Sequence, residues 1–486
     1  MGVVVAVDAG TTGVRAVAVG EDGAVAGWAY RELAQHYPRP GWVEHDPDEI
    51  WTAVQSTMHE LTSALDGAGQ AVAAIGVTNQ RETVVAWDRR TGRPLHNAIV
   101  WQDRRTAAAC DGLRDAGHLP LVRRATGLVL DPYFSATKMA WLLADGGVEA
   151  SPDLALATVD SWVIWNLTGG AFVTDPSNAS RTLLYDIGKG RWSGELGDLF
   201  GVPLPHLPEV RPSSGRLGTT PEGVPVSGVA GDQQAALFGQ ACLAPGMTKA
   251  TYGTGTFVLM NLGTTCPEPV DGLLTSVAWE LADGRVDYAL EGAVFATGAA
   301  VQWLRDGLGI IDTAAEVEAL AASVPDSGGV VVVPAFAGLG SPWWDAGARG
   351  AVVGLTKGTG RAQVARAVLE SIAFQTRDVT DAMVAAAGRP VTELRVDGGA
   401  AVDDLLLQLV ADQCGVAVAR PLVTETTALG AAFLAGLAEG VWGSLDDVAA
   451  VWSQERAFDP AARRSTADAR FGAWHQAVAR ARNWVV

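Results

Sequence analysis

Residues 3–19 of this 486-residue chain are VVVAVDAGTTGVRAVAV. An apolar run, a glycine-rich turn and a second alternating run predict two strands joined by a tight turn, and residues 24–30 predict a third strand. Residues 248–263, TKATYGTGTFVLMNLG, repeat this arrangement near the middle of the chain. Helical and strand patterns alternate after each of these stretches. The sequence therefore predicts an α/β protein with two similar halves and a central cleft between them.

The first helix has recognisable start signals. Asp46 suits the N-cap, Pro47 suits the first helical position, and Glu49 completes a capping-box pattern. In the second half, helices are expected around residues 297–308 and 313–324. The predicted apolar stripe of the first helix consists of Ile50, Val54, Met58, Leu61 and Leu65.

The charge balance restricts the partners that the chain can bind. With 35 basic and 54 acidic residues the net charge is −19, which repels nucleic acid and anionic membranes. The longest small and apolar run, residues 428–438, is too short for a bilayer span of about 20 residues. We expect it to pack helices closely within one subunit rather than between subunits. The N-terminus lacks the basic region of a signal peptide, so we expect a soluble, cytoplasmic protein without stable membrane insertion.

Several common site motifs are missing from the sequence. The four cysteines form no C-x-x-C pair, and the histidines form no H-E-x-x-H. We expect lone histidines such as His45 and His206 to be structural or solvated. The sequence also lacks the Walker A motif, the dinucleotide-binding G-x-G-x-x-G before a helix, the protein-kinase H-R-D and D-F-G motifs, and the G-x-S-x-G elbow. P-loop, dinucleotide-binding, protein-kinase and α/β-hydrolase sites are therefore not expected.

The two Gly/Thr turns are candidate anion sites. Turns without bulky side chains let backbone N–H groups converge on a phosphate, and threonine hydroxyls add donors. The first turn lies between Asp8, a candidate carboxylate near a metal, and Arg15, a candidate phosphate clamp. Each turn, taken alone, is better explained as a plain β-hairpin, but the occurrence of the same unit in both halves favours an anion site.

Three further segments combine polar side chains with the ends of predicted strands. Asp232 follows an apolar strand, where it suits either a general base or an ordinary helix N-cap. Residues 79–83, NQRET, and 101–105, WQDRR, are suited to binding a polyol, or are solvated loops with a surface ion pair. Residues 397–400, DGGA, permit close approach of a nucleotide base or ribose, or form an ordinary βα turn.

Together these segments resemble the glycerol kinases of the FGGY carbohydrate-kinase family over essentially the whole chain. The matching motifs are PGWVEHDP (40–47), NQRET (79–83), IVWQ (99–102), DPYFS (131–135), NASRT (178–182), GDQQAALFG (231–239) and YGTG (252–255). The resemblance implies two ribonuclease-H-like domains of the actin/Hsp70-type ATPase fold. Residues 1–242 would form the glycerol and phosphate side and residues 243–486 the nucleotide side. ATP would phosphorylate glycerol with Mg²⁺ present, in a homo-oligomer, dimer or tetramer.

The resemblance also implies roles for individual residues. Asp232 matches the general base and Asp8 the carboxylate that holds Mg²⁺. The glycerol site would comprise Arg81, Glu82, Trp101, Tyr133, Asp232, Gln233 and Phe257. The nucleotide and its phosphates would meet Thr11, Thr12, Arg15, Gly253, Thr254, Gly298, Gln302, Gly399, Ala400 and Asp403.

The chain departs from the family pattern at several positions. Ala9 and Gly13 replace the usual Gln and Ser of the first turn, and Asp403 replaces an Asn near the adenine, which affects the expected base preference. Some relatives are inhibited by fructose 1,6-bisphosphate through an arginine-bearing loop, but residues 217–230 contain no Arg, Lys or His. Others are phosphorylated on a nearby histidine, but none occurs between His206 and His475. We expect both controls to be absent.

Two other functions remain open at this point. One is a kinase for another small polyol or ketose on the same fold, which the compact set of Arg81, Glu82, Trp101 and Phe257 disfavours. The other is a non-catalytic, nucleotide-gated switch that resembles actin or Hsp70, which the retained Asp8 and Asp232 disfavour.

Overall fold

The computed structural model describes residues 2–485. The strands of the first half are β1 (Val3–Ala9), β2 (Gly13–Val19), β3 (Val25–Glu32), β4 (Glu44–His45), β5 (Val72–Asn79), β6 (Val84–Asp88), β7 (Ala98–Ile99), β8 (Leu154–Thr158), β9 (Val173–Thr174), β10 (Tyr185–Asp186), β11 (Arg191–Trp192), β12 (Glu209–Val210), β13 (Ser214–Thr219) and β14 (Pro225–Gly231). Its helices are α1 (Pro47–Gly67), α2 (Ala107–Asp115), α3 (Leu119–Thr126), α4 (Ser135–Ala144), α5 (Val159–Thr168), α6 (Pro176–Ala179), α7 (Gly194–Phe200) and α8 (Asp232–Gly239), with a 3₁₀ turn at Leu204–His206.

The second half begins after α8. Its strands are β15 (Met247–Tyr252), β16 (Thr256–Gly263), β17 (Leu274–Glu280), β18 (Val286–Val294), β19 (Val331–Val333), β20 (Ala351–Val353), β21 (Glu393–Asp397), β22 (Val418–Pro421) and β23 (Gln454–Phe458). Its helices are α9 (Gly298–Gln302), α10 (Glu316–Ala322), α11 (Arg361–Ala387), α12 (Asp404–Cys414), α13 (Thr426–Ala438), α14 (Leu445–Val451) and α15 (Arg464–Ala481), with a π-helical turn at Trp303–Gly307 and a 3₁₀ turn at Gly399–Val402.

The two large sheets share the same arrangement of six strands, and the second sheet adds β17 at one edge. The six-stranded sheet has the order β13-β14-β5-β1-β2-β3, and the seven-stranded sheet has the order β17-β18-β16-β15-β21-β22-β23. In each, the first strand pairs antiparallel with the second and parallel with the next central strand. This repetition confirms the prediction of two similar α/β halves that each begin with a strand–turn–strand unit. The carboxyl ends of β1 and β15 carry the two Gly/Thr turns.

Helix α13 of the second half packs closely on α8 and on the first sheet. A Cβ atom at Gly430 would lie 1.8 Å from the Ala235 carbonyl oxygen, and one at Gly76 of β5 would lie 2.1 Å from the Ala431 oxygen. Glycine is required at these positions because backbone meets backbone. The small-residue run therefore packs helices within the chain, as expected. No helix within residues 2–485 is long and apolar enough to cross a membrane.

The local predictions differ from the structure in two places. The side chain of Asp46 caps α1 by accepting a hydrogen bond from the backbone N–H of Asp48. The hydrogen bonds with Glu49 that would complete the predicted capping box are not formed at this cap. In place of the continuous helix predicted for residues 297–308, the structure has the five-residue α9 followed by a π-helical turn. Residues 303–307 form the wider π-helical turn, with hydrogen bonds between residues five apart, instead of α-helical hydrogen bonds. The predicted apolar stripe of α1 is confirmed: it faces the sheet, with Met58 partly buried at its edge.

Candidate functional site

The first Gly/Thr turn is closed by a hydrogen bond from the Gly10 N–H to the Gly13 carbonyl oxygen, 3.0 Å. A Cβ atom at Gly13 would lie 2.3 Å from the Tyr30 hydroxyl, so the glycine makes room for this tyrosine. Asp8 and Arg15 are directly opposite each other in the β1–β2 register. The turn thus presents open backbone between a carboxylate and a guanidinium.

The second turn is built in the same way. The Gly253 N–H donates to the Gly255 carbonyl oxygen at 2.8 Å, and the Gly298 N–H donates to the Gly253 oxygen at 3.0 Å. A Cβ atom at Gly298 would lie 2.7 Å from that oxygen, which explains why α9 begins with glycine here. Thr254 accepts from Thr297 through its backbone. The structure therefore brings three predicted nucleotide-side residues together at the second turn: Gly253, Thr254 and Gly298.

The remaining nucleotide-side candidates lie around the end of β21. Strand β21 is parallel to β15, and a Cβ at Gly398 would lie 2.6 Å from the Tyr252 oxygen, so Gly399 and Ala400 follow next to the second turn. Gln302 is exposed, one turn beyond Gly298. Asp403 is the N-cap of α12 and accepts from the Leu406 N–H at 2.8 Å. Burial raises its pKa to about 6, and its Oδ2 has no hydrogen-bond partner.

A cavity of about 590 Å³ joins both turns. Trp101, Tyr133, Gln233 and Phe257 of the predicted site line it, as do Thr11, Thr12, Gly253 and Thr254. The indole N–H of Trp101 donates to the Thr11 hydroxyl at 2.9 Å and links the aromatic wall to the first turn. The other lining residues are Gln35, Gln102, Arg104, Asp131, Phe134, Thr251, Gly255, Ala293, Val294, Phe295 and Trp344.

Asp232 is the first residue of α8, and its side chain is about one third exposed. The helix N-cap is Gly231, so the N-cap alternative for Asp232 does not describe this structure. The Nε atom of Arg81 lies 3.1 Å from Asp232 Oδ1. The next residue, Gln233, accepts a hydrogen bond from Lys249. A partly exposed carboxylate with a fixed cation beside it can accept a proton from a bound hydroxyl group.

Arg81 and Glu82 lie behind the cavity wall rather than in its lining. Both are at most 2% exposed. The hydroxyl of Tyr133 accepts from Arg81 Nη2 at 3.4 Å, which connects the guanidinium to the cavity. Glu82 has a φ of 63°, and Arg181 Nε donates to its Oε1 at 2.6 Å. A non-glycine residue held in this region costs free energy, and such residues are concentrated at functional sites.

Comparisons with known proteins agree with this geometry. Residues 3–239 match the N-terminal domain of the FGGY family of carbohydrate kinases, and residues 248–439 match its C-terminal domain. The chain belongs to the FGGY family of carbohydrate kinases. It is 54% identical to a glycerol kinase from Aromatoleum aromaticum over 100% of both chains, and 51% identical to one from Carboxydothermus hydrogenoformans over 99% of both. A crystal structure of Plasmodium falciparum glycerol kinase with ADP matches with a TM-score of 0.95 at 33% identity, covering 99% of this chain and 98% of that one. The family and fold inferred from the sequence are thus confirmed.

The carboxyl of Asp8, at the start of the first turn of this FGGY kinase, is the candidate ligand for Mg²⁺. Burial and the nearby Asp232 raise the pKa of Asp8 to about 7, against the opposing effect of Arg15. The ionised form of this carboxyl is therefore disfavoured in the protein alone, and a bound divalent cation would stabilise it. Within residues 2–485, no three His, Cys, Asp or Glu side chains are grouped to hold a metal ion by themselves. One carboxylate together with substrate phosphates is a usual way to bind Mg²⁺, so Asp8 fits.

Arg15 has a partner that the sequence did not indicate. It forms an ion pair with Glu425, which precedes α13 in the second half, and its guanidinium lies 5.5 Å from the centre of the Tyr30 ring. Arg15 is not among the cavity-lining residues. The predicted phosphate clamp is therefore held between the halves of the kinase.

Several residues at this site were not predicted from the sequence. Arg181 lies within the family motif 178–182, but nothing in that motif indicated a contact with Glu82. Glu291 is a buried charge within an apolar strand, and that contrast was an available signal. Lys249 and Thr251 precede the second turn, whereas Trp344 and Phe295 enter from loops whose position the sequence pattern does not give. His45 is buried against Gln80, which agrees with the structural role expected of it.

Proposed function

We propose that this chain is a glycerol kinase, which transfers the γ-phosphoryl group of ATP to glycerol and releases ADP and sn-glycerol 3-phosphate. The main support is the cavity that has both Gly/Thr turns and the set Trp101, Tyr133, Gln233 and Phe257 on its walls. Aromatic walls suit the carbon chain of a small polyol, and the polar groups suit its hydroxyls. The names of the similar proteins support the same substrate.

In the proposed reaction Asp232 accepts the proton of the attacking glycerol hydroxyl. The hydroxyl oxygen bonds to the γ-phosphorus while the bond to the β-phosphate oxygen breaks, and ADP leaves with that electron pair. Phosphoryl transfer depends mainly on positioning and charge stabilisation. Two observations support this role: Asp232 directly precedes the cavity-lining Gln233, and its Oδ1 lies 3.1 Å from Arg81 Nε, although Asp232 is not itself among the lining residues.

The remaining glycerol contacts are assigned to Arg81, Glu82 and Tyr133. A hydroxyl group that reaches Tyr133 comes next to the Arg81 guanidinium, since these side chains are in contact. The guanidinium and the Glu82 carboxylate are both buried behind the cavity wall, so glycerol must displace part of that wall before the guanidinium can donate to a hydroxyl and the carboxylate can accept from one. Trp101 and Phe257 cover the carbon face.

The nucleotide phosphates are assigned to the two turns. Thr11, Thr12 and Arg15 would hold them on one side and Gly253 and Thr254 on the other. Arg15 must exchange Glu425 for phosphate oxygens to do so. The base and ribose are assigned to Gly298, Gln302, Gly399, Ala400 and Asp403. Mg²⁺, when bound near Asp8, neutralises charge on the transferring phosphate.

Further properties belong to the same proposal. The domains are residues 1–242 and 243–486, and the protein acts in the cytoplasm as a homo-oligomer, a dimer or a tetramer. Its partners are glycerol and ATP, and neither nucleic acid nor a membrane is a partner, since the net charge of −19 repels polyanions.

A coupled assay of ADP release with Mg-ATP and glycerol tests the proposal. We expect glycerol-dependent turnover in the wild type and a fall of about 100-fold or more in Asp232→Asn, because the general base is lost. Full turnover in Asp232→Asn would remove this residue from its role. Absence of glycerol-dependent turnover in the wild type would reject the substrate, and kcat/KM across C4 and C5 polyols and ketoses would then test the alternative kinase.

A further inference from the structure

Glu291 connects the second half of the chain to the arginine behind the catalytic cavity. It lies on β18, its side chain is fully buried, and its carboxylate accepts two hydrogen bonds from Arg81. The distances are 2.6 Å from Nη1 to Oε2 and 3.1 Å from Nη2 to Oε1. This paired contact fixes the plane of the guanidinium more firmly than a single bond would.

Of the other groups that Arg81 contacts, Tyr133 lines the cavity and Asp232 directly precedes the cavity-lining Gln233. Nη1 also donates to Gln234 at 3.2 Å, Nη2 also donates to Tyr133 at 3.4 Å, and Nε faces Asp232. Both terminal nitrogens of Arg81 therefore divide their hydrogens between Glu291 and a second group. The orientation set by Glu291 determines where the guanidinium meets Asp232 and Tyr133.

Glu291 also balances a second buried cation. Arg181 Nη2 donates to Glu291 Oε1 at 3.2 Å, while its Nε is bonded to Glu82. Burial alone would raise the pKa of Glu291, but Arg181 and Arg81 outweigh it and lower the pKa to about 2. The carboxylate is thus ionised across the range in which enzymes work. Without it, two buried guanidinium groups would share the remaining carboxylates of Glu82 and Asp232.

We propose that Glu291 is a positioning residue for phosphoryl transfer: from the second half it holds Arg81 in the orientation that presents Asp232 and Tyr133 to the substrate. The inference rests on the proposed function, since it concerns the same site. Glu291 is not among the residues that line the cavity, so it acts through the guanidinium groups that it holds, chiefly that of Arg81. When Glu291 is lost, Arg81 turns toward Asp232, the nearest partly free carboxylate, and draws it away from the glycerol hydroxyl.

The test compares Glu291→Gln and Glu291→Asp with Asp287→Asn. Asp287 is a suitable control because it lies on the same strand and is equally buried. It accepts two hydrogen bonds from Arg285, of 2.7 and 2.9 Å, and neither residue lines the cavity. We expect Glu291→Gln to lower kcat/KM for glycerol by about 100-fold while KM for ATP stays within about threefold, as for a misplaced catalytic group. Glu291→Asp should recover part of the loss, and Asp287→Asn should retain wild-type kinetics.

Kinetics within about threefold of wild type in Glu291→Gln would overturn the inference. An equal loss in Asp287→Asn with a matching fall in Tm would also overturn it, because the effect would then be structural. If Glu291→Gln does not fold, Glu291→Asp decides: a lowered kcat at unchanged Tm supports the inference, and a wild-type kcat rejects it. If the wild type does not phosphorylate glycerol, the proposed function fails separately. Crystal structures of the wild type and Glu291→Asp would then test the positioning role. A changed orientation of the Arg81 guanidinium would support this role, and an unchanged orientation would reject it.

Discussion

Lys249 donates a hydrogen bond to the side-chain oxygen of Gln233 and joins the first strand of the second half to the residue that follows Asp232. Its Nζ also donates to the Thr251 hydroxyl at 2.8 Å, and Thr251 and Gln233 both line the cavity. Lys249 is fully buried. A buried cation between two cavity-lining side chains fixes both of them and places positive charge behind the proposed transfer site.

Replacing Lys249 by Met should lower kcat by about 10- to 100-fold, because the buried hydrogen bonds to Gln233 and Thr251 are lost. Burial lowers the pKa of Lys249 to about 8, against the opposing effects of Asp397 and Asp232. The lysine is charged below that pH, so wild-type turnover should decline above about pH 8, and the residual activity of Lys249→Met should lack this decline. A pH profile of kcat measures both. The exposed Lys357→Met is the control and should keep the wild-type profile; an unchanged alkaline decline in Lys249→Met would contradict the assignment.

The contact between α8 and α13 gives a prediction about stability. A methyl group at Gly430 would lie 1.8 Å from the Ala235 carbonyl oxygen, so Gly430→Ala must separate the helices. We expect a loss of about 1–3 kcal/mol in the free energy of unfolding, as is typical of overpacking. Denaturant titration measures it. The control is Gly472→Ala on α15, where nothing lies within 4 Å, and it should be neutral or stabilising by up to about 1 kcal/mol. Equal stability of the two variants would show that the helices adjust without cost.

Local patterns were sufficient to predict the two strand–turn–strand units and the helix α1. Each depends on side chains close in sequence, such as the Asp46 cap and the alternation around Gly10. The motifs also brought together Trp101, Tyr133, Gln233 and Phe257, which do share one cavity. Their common location depends on the fold, and the resemblance to a known family supplied that information.

The buried charges behind the cavity were not predictable in this way. Glu291 meets Arg81 across 210 positions of sequence, and Arg15 meets Glu425 across the two halves. Such pairs depend on how the sheets are placed relative to each other, and no local spacing encodes that placement. The π-helical turn after α9 also lacks a local signal, because residues 297–308 have an ordinary helical pattern.

Control by fructose 1,6-bisphosphate should be absent. Residues 217–230 belong largely to the β13–β14 hairpin and contain no basic residue. The adjacent Arg216 is paired with Glu439, with Nε 3.0 Å from Oε1. A sugar bisphosphate, whose two phosphate groups together carry about three to four negative charges near neutral pH, therefore finds no free cation on this hairpin. We expect micromolar fructose 1,6-bisphosphate to leave the initial rate unchanged at constant free Mg²⁺. Saturable inhibition would contradict this, and Arg216→Ala would then show whether this hairpin is responsible.

Asp160 should make the stability of the protein depend on pH. Its carboxylate is fully buried on α5 and accepts hydrogen bonds from the Thr158 and Thr174 hydroxyls. Burial raises its pKa to about 7 from an ordinary value of 3.8, with those hydroxyls opposing the shift. Between these values the unfolded chain is ionised while the folded protein still binds the proton. The contribution of Asp160 to stability is therefore present below about pH 4, decreases as the pH rises to about 7, and is constant above it.

Asp160→Asn removes this titration, so its Tm relative to wild type should become more favourable as the pH rises from 5 to 8. Thermal unfolding of both proteins at several pH values in this range measures the difference. Asp8 titrates in the same range but is present in both proteins, so its contribution cancels in the comparison. A Tm difference that stays constant from pH 5 to 8 would mean that Asp160 is already ionised in the folded protein. The two threonine hydroxyls would then be sufficient to stabilise the buried charge.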